Sequence, residues 1–218
     1  MKLYQDREDA ARQMIADLPP ELGPDWLVLA LPRGGVPIGA VLARHLGAPL
    51  DVLVVRKVGV PGQPELALAA VTGTEEADLT GNETVRRALG LSNERVQELA
   101  RELAADVENR RARLTSGRPA PELKDRKILV VDDGAATGTT LAAAVDALQR
   151  AGAAKIMVAL PVALHGSLGR IAGKVDQVIC PMPDAPFHAV SLVYQDFPQV
   201  SDDTVIKLLE HQPLSNAL

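Results

Sequence analysis

Short apolar runs, glycine-bearing turns and helix-forming stretches succeed one another in this chain, and that order constrains its fold most. Trp26–Leu31 is apolar, Pro32-Arg33-Gly34-Gly35 reads as a turn, and Val36–Leu46 reads as a helix that Gly47 can stop. Leu50–Val55 is a second apolar run without period-two alternation, as expected of a strand buried on both faces. Further along, Ile128–Val131 leads through Asp132–Thr139 into a helix over Thr140–Arg150 that Gly152 ends. Ile156–Leu160 and Val175–Cys180 are two more strands, with a helical piece near Ser167–Ala172 between them. At the two ends, Ala10, Met14 and Leu18 mark a helix over Asp6–Leu18 closed by Pro19-Pro20, and Ser201 caps a helix over Asp202–Glu210. Alternation of this kind predicts an α/β fold: a doubly wound, mainly parallel sheet with helices on both faces.

The stretch 58–118 breaks the alternation. Gly59, Pro61, Gly62 and Pro64 read as a mobile loop, and Leu66–Thr72 with Thr72-Gly73-Thr74 as a hairpin-like excursion. Ser92 then caps the longest helix, Asn93–Leu114, whose apolar stripe is Val96, Leu99, Leu103, Val107 and Leu114. The expectation is a single domain over residues 1–218, with this lid or hairpin and long helix inserted at about 58–118.

Composition narrows the function classes. Hydrophobic residues make up 47% of the 218 and charged residues 23%, a globular mixture able to bury a core. A net charge of −5 without a basic run argues against binding a nucleic-acid backbone. A single cysteine, Cys180, excludes a disulfide framework. No apolar run is long enough to span a bilayer and no signal-peptide core opens the chain, so a cytoplasmic protein without membrane partners is expected. His45, His165, His188 and His211 show no metal-ligand spacing.

The chemistry is concentrated in Ile128-Leu129-Val130-Val131-Asp132-Asp133-Gly134-Ala135-Ala136-Thr137-Gly138-Thr139-Thr140. Four apolar residues put Asp132 and Asp133 at the carboxyl end of a buried strand, where open α/β sheets bind ligands. Small residues then let the backbone close around an anion, and the threonines add hydroxyls at a helix N-terminus, whose N–H groups and dipole favour phosphate. Two carboxylates beside such a cradle suggest a ligand with vicinal hydroxyls, a bound Mg²⁺, or both. The stretch lacks the Gly-Lys-Ser/Thr ending of a Walker A loop and is not G-x-G-x-x-G.

This stretch resembles the phosphoribosyl-pyrophosphate (PRPP) fingerprint of the type I phosphoribosyltransferases, and the likeness covers roughly residues 25 to 200. The resemblance implies that Asp132 and Asp133 bind the ribose hydroxyls, directly or through Mg²⁺. It implies that Gly134, Ala135, Ala136, Thr137, Gly138, Thr139 and Thr140 hold the 5-phosphate, and that Arg33, Gly34 and Gly35 form the pyrophosphate-binding loop. Arg56 and Lys57 stand before a segment that in this family leads into an active-site loop, and Lys57 is a candidate catalytic cation. Ala136 replaces the aspartate that handles the base's proton in the 6-oxopurine branch, so Glu65 in the supposed lid is the candidate general base. Phe187 and Tyr194, with Phe197 nearby, are candidates for stacking on a base.

The function so implied is transfer of a 5-phosphoribosyl group from PRPP to a nitrogenous base in nucleotide salvage, with Mg²⁺ as cofactor, pyrophosphate as product and a homo-oligomeric assembly. The alternative is a PRPP-binding sensor without catalysis. Exposed carboxylates at a strand end also predict that neutralising Asp132 and Asp133 leaves the fold intact.

Overall fold

The computed structural model of the chain describes residues 3–60, 63–71, 87, 90 and 92–211. It forms two compact units, one made of Met1–Leu53 with Pro121–Leu218 and the other of Val54–Ala120. In chain order the elements are α1 (Arg7–Met14), β1 (Trp26–Ala30), α2 (Gly35–Leu46), β2 (Leu50–Val52), β3 (Arg56–Val60), β4 (Gln63–Val71), α3 (Asn93–Leu114) and β5 (Lys127–Val131). They continue with α4 (Thr139–Arg150), β6 (Lys155–Ala159), β7 (Val162–Leu164), β8 (Gln177–Ile179), β9 (Met182–Ala185) and α5 (Asp202–Glu210).

The first unit is built on a parallel sheet in the order β2-β1-β5-β6-β8. Every residue of β1 is buried, and in β5 only Lys127 is exposed, so the apolar runs lie where helices cover both faces. From β1 the chain winds to β2 on one side; from β5 it winds to β6 on the other. Right-handed crossovers in opposite directions place α2 and α4 on opposite faces, which makes the sheet doubly wound. The reversal falls between β1 and β5, whose registers match residue for residue from Trp26↔Lys127 to Ala30↔Val131. A crevice therefore opens beyond their carboxyl ends. β2 ends at Val52, with the Leu53 N–H making a last bond to the Ala30 carbonyl at 3.0 Å, so that strand is shorter than its apolar run.

A small second layer sits at the carboxyl end. β7 and β9 pair in parallel, and Ala135 bridges to Ala163. Tyr4, Ala10, Val162, Leu164, Ala185, Val193 and Tyr194 form its buried cluster, with Phe187 and Phe197 packed against it. The sequence pattern gives no sign of β7 or β9; strands this short carry no usable periodicity.

The second unit holds an antiparallel hairpin, β3 with β4, packed on α3. The loop expected from Val58 is thus corrected over 58–60 and 63–65, which pair as strands, while the short strand expected from Leu66 falls within β4. Irregular register at Gly59, paired to Ala67 after Val58↔Ala69, lets a glycine that would weaken a regular ladder sit in a bulge. Thr72-Gly73-Thr74 lies outside the described residues. Ser92 caps α3 as expected, its Oγ accepting from the Arg95 N–H at 3.2 Å, and Val107 and Leu114 of the stripe are buried. Among the described residues no helix is long and apolar enough to cross a membrane.

Candidate active site

Where β5 ends, Asp132 and Asp133 project from adjacent positions. The Asp133 N–H donates to Asp132 Oδ1 at 2.9 Å, and the Arg7 Nε donates to Asp133 Oδ2 at 2.8 Å. The Asp133 backbone carbonyl accepts the Tyr194 hydroxyl at 2.7 Å. Burial pushes the Asp132 carboxyl well above the ordinary carboxylate range, and repulsion from Asp133 adds to this. Burial raises Asp133 as well, but the hydrogen bond and charge of Arg7 pull the other way. Of the two, Asp133 is the one that ionises first.

The β1–α2 turn presses against this pair. The Pro32–Arg33 peptide is cis. A Cβ on Gly34 would run into the Asp133 carboxylate, and one on Gly35 would stand 2.9 Å from the Asp132 Cα. Only glycine permits so close an approach of two backbones. Arg33 Nη1 lies 3.4 Å from Asp202 Oδ1 in the first turn of α5.

The third element is the N-terminus of α4. Gly138 caps it in the left-handed region at φ 67°, and a Cβ there would run into the Ser167 carbonyl. The Thr137 and Thr139 hydroxyls are 3.0 Å apart, and Arg170 Nε donates to the Thr137 carbonyl at 3.1 Å. Ser167 is buried, and its Oγ has no partner among the described residues. One expectation is corrected here. Ala135 is buried, its N–H donates to the Val162 carbonyl at 2.9 Å and its carbonyl accepts from Leu164 at 2.8 Å. Its peptide is sewn into β7 and offers no donor to an anion.

Arg33, Gly34, Asp132, Asp133 and Thr140 line one cavity of about 550 Å³ together with Arg7, Phe197, Pro198, Gln199 and Val200. Over residues 2–195 the sequence matches the family described as the phosphoribosyl transferase domain. The chain belongs to that family.

Its relatives agree. A Mycobacterium tuberculosis protein named as a phosphoribosyl transferase, known from two strains, is 41% identical over 210 residues, covering 96% of this chain and 47% of its own length. The phosphoribosyl transferase domain thus spans about half the length of the curated relatives it matches. The crystal structure of TT1426 from Thermus thermophilus is 34% identical with a TM-score of 0.83, over 96% of this chain and 98% of that one.

Within the phosphoribosyl transferase domain the remaining predicted residues fall elsewhere. Tyr194 is fully buried, with Phe197 stacked on it at 4.7 Å and Tyr4 tilted against it at 5.6 Å. Its ring is therefore covered and its hydroxyl spent, so it is not placed to stack on a base. Phe187 packs against the same buried cluster and does not line the cavity. Lys57 lies on β3 and Glu65 on β4, but their side chains fall outside the described residues. Arg7 and Arg170, which the sequence gave no reason to single out, reach the site through contacts 126 and 33 residues away in the chain. Removing the Tyr194 hydroxyl leaves the Asp133 carbonyl short of a buried donor. Tyr194→Phe is therefore expected to cost about 1–2 kcal/mol in denaturant unfolding. An unchanged midpoint would show that water replaces the hydroxyl.

Proposed function

We propose that this domain binds PRPP in the cavity beyond β1 and β5 and transfers its 5-phosphoribosyl group to a nitrogenous base, releasing pyrophosphate. One observation carries the reading: a carboxylate pair, a helix N-terminus and a glycine turn with an arginine surround a single cavity. Those three parts answer to a vicinal diol, a phosphate ester and a leaving pyrophosphate.

Asp132 and Asp133 would accept hydrogen bonds from the ribose 2- and 3-hydroxyls. The N-terminus of α4, with the Thr137 and Thr140 hydroxyls, would hold the 5-phosphate. The Gly34 backbone, with the Arg33 guanidinium, would hold the pyrophosphate, whereas the expected Gly35 is corrected: it is buried and its N–H donates to the Leu31 carbonyl at 3.0 Å. As the C1–O bond breaks, positive charge grows on the ribose and negative charge on the leaving oxygen; the paired carboxylates would offset the first and Arg33 the second. Mg²⁺ fits the same residues. Asp132 Oδ1 and Asp133 Oδ2 are engaged within the protein, so each aspartate can offer its second oxygen. No group of three or more His, Cys, Asp or Glu side chains converges among the described residues. Such a donor set suits an ion that keeps its waters and takes one or two carboxylates plus substrate oxygens. Bound there, Mg²⁺ supplies charge to offset the leaving pyrophosphate.

The test is pyrophosphate release from PRPP and Mg²⁺, screened over purines, pyrimidines and their analogues. Turnover with one base supports transfer. Tight PRPP binding with no turnover on any base assigns the site to sensing, and no PRPP binding overturns the reading. Arg170 should add charge at the phosphate end. Arg170→Gln is expected to weaken inorganic phosphate binding by about threefold, the scale of an exposed charge pair. Calorimetry showing no change would remove Arg170 from the cradle.

A further inference from the structure

The 197–200 lining of the cavity is fastened by the side chain of Arg7. Asp6 caps α1, its Oδ1 accepting the Asp9 N–H at 2.8 Å, and this fixes Arg7 in the first turn. Residues just before it are stitched to 193–196: Leu3 N–H to Val193 at 2.9 Å, and Gln195 and Asp196 N–H to Tyr4 and Gln5 at 2.9 Å each. Arg7 is thereby brought beside Phe197 and Pro198. Its guanidinium holds Asp133 at 2.8 Å through Nε and the Pro198 carbonyl at 2.9 Å through Nη1, and it lies 3.7 Å from the centroid of the Phe197 ring.

These contacts close a circuit. Phe197 stacks on Tyr194, and the Tyr194 hydroxyl returns to the Asp133 carbonyl. Rotation of an aspartate carboxylate about χ2 is broad unless something pins it. Here a planar fork, itself held at three points, pins one oxygen of Asp133 and leaves Oδ1 for a ligand. Arg7 also lines the cavity. A surface ion pair made only for stability would need neither the cavity position nor the aromatic platform.

We infer that Arg7 is a positioning residue: by holding Asp133 Oδ2 it fixes the carboxylate that receives the ribose diol of PRPP, and it couples that carboxylate to the 197–200 wall. The inference rests on the reading that the Asp132–Asp133 pair binds the diol. If it holds, Arg7 matters for ligands that carry a ribose and not for a bare anion at the N-terminus of α4.

Calorimetry on the full chain separates these cases, with PRPP plus Mg²⁺ as one probe and inorganic phosphate as the other. Arg7→Gln is expected to loosen PRPP by about tenfold or more, the value of a charge-assisted hydrogen bond, with phosphate affinity held within about twofold. The double variant Arg7→Gln with Asp133→Asn should bind PRPP no more weakly than Asp133→Asn alone, because the two residues act as one. If Arg7→Gln does not fold, Arg7→Lys carries the same test, since a lysine keeps the charge but cannot span Asp133, Pro198 and Phe197 together. Equal losses for PRPP and phosphate, no loss for either, or additive losses in the double variant would overturn the inference. A parent protein that binds phosphate but not PRPP would instead overturn the PRPP reading, and this inference with it.

Discussion

Asp133→Asn is expected to lower the stability of the ligand-free protein by about 2 kcal/mol, because it strips the counter-charge from a nearly buried arginine. For a chain of this size that is a fall in Tm of about 4–8 °C. Asp132→Asn should do the opposite, leaving the protein as stable or raising it by up to about 1 kcal/mol. Asparagine still accepts the Asp133 N–H, and it removes a carboxylate whose ionised form is disfavoured by burial and by its neighbour. The sign follows from the raised Asp132 carboxyl. A group that holds its proton more tightly when folded loses stability as pH climbs from about 4 through its raised value. The advantage of Asp132→Asn should thus vanish below about pH 4 and grow above it. Melting curves for both variants from pH 3 to 8 check this, and each should bind PRPP measurably more weakly than the parent. Equal Tm changes for the two would show that Arg7 does not distinguish them. The Arg7 pair is the reason to expect a larger cost at Asp133 than a partly exposed carboxylate would carry.

A methyl group at Gly138 should be among the most damaging small changes in the chain. Left-handed backbone costs an L-residue about 1–2 kcal/mol, and collision with a backbone carbonyl that cannot swing away adds about 1–3 kcal/mol. Gly138→Ala is expected to lose the sum of these and to weaken phosphate binding, because α4 must shift at its first turn. Gly166 supplies the comparison. It has a similar φ of 72°, yet a Cβ there meets nothing within 4 Å, so Gly166→Ala should lose the conformational part alone. Chemical denaturation of the two variants separates the terms. Matched losses would mean that Ser167 yields.

What could be read from the sequence was what neighbouring residues decide together. The run from Ile128 to Thr140 specifies strand, carboxylates, tight turn and helix within one local segment, and the sheet order follows from how such segments wind. Ser92, Ser201 and Gly47 likewise mark helix ends by chemistry confined to one turn. The failures share one cause, a partner distant in sequence. Tyr194 looked available to a base because nothing near it in the chain reveals Tyr4 against its ring. Ala135 looked like a phosphate donor because its bond to Val162 belongs to a strand too short to foresee. In the hairpin at 56–71 the first strand was hidden by glycines and prolines that favour loops, and only the pairing of β3 with β4 shows that a bulge accommodates Gly59.

The fastening of Arg7 also sets a timetable for making the protein. Arg7 leaves the ribosome well before its contacts, which lie 126 and 191 residues further on. Until Asp133 and Pro198 have been synthesised, the segment around Arg7 holds a cation without the partners it has in the fold. Closures this long are slow because chain entropy is spent before the contact is made. Ligand capture should accordingly be the last property acquired in refolding, appearing after the sheet's circular-dichroism signal has recovered.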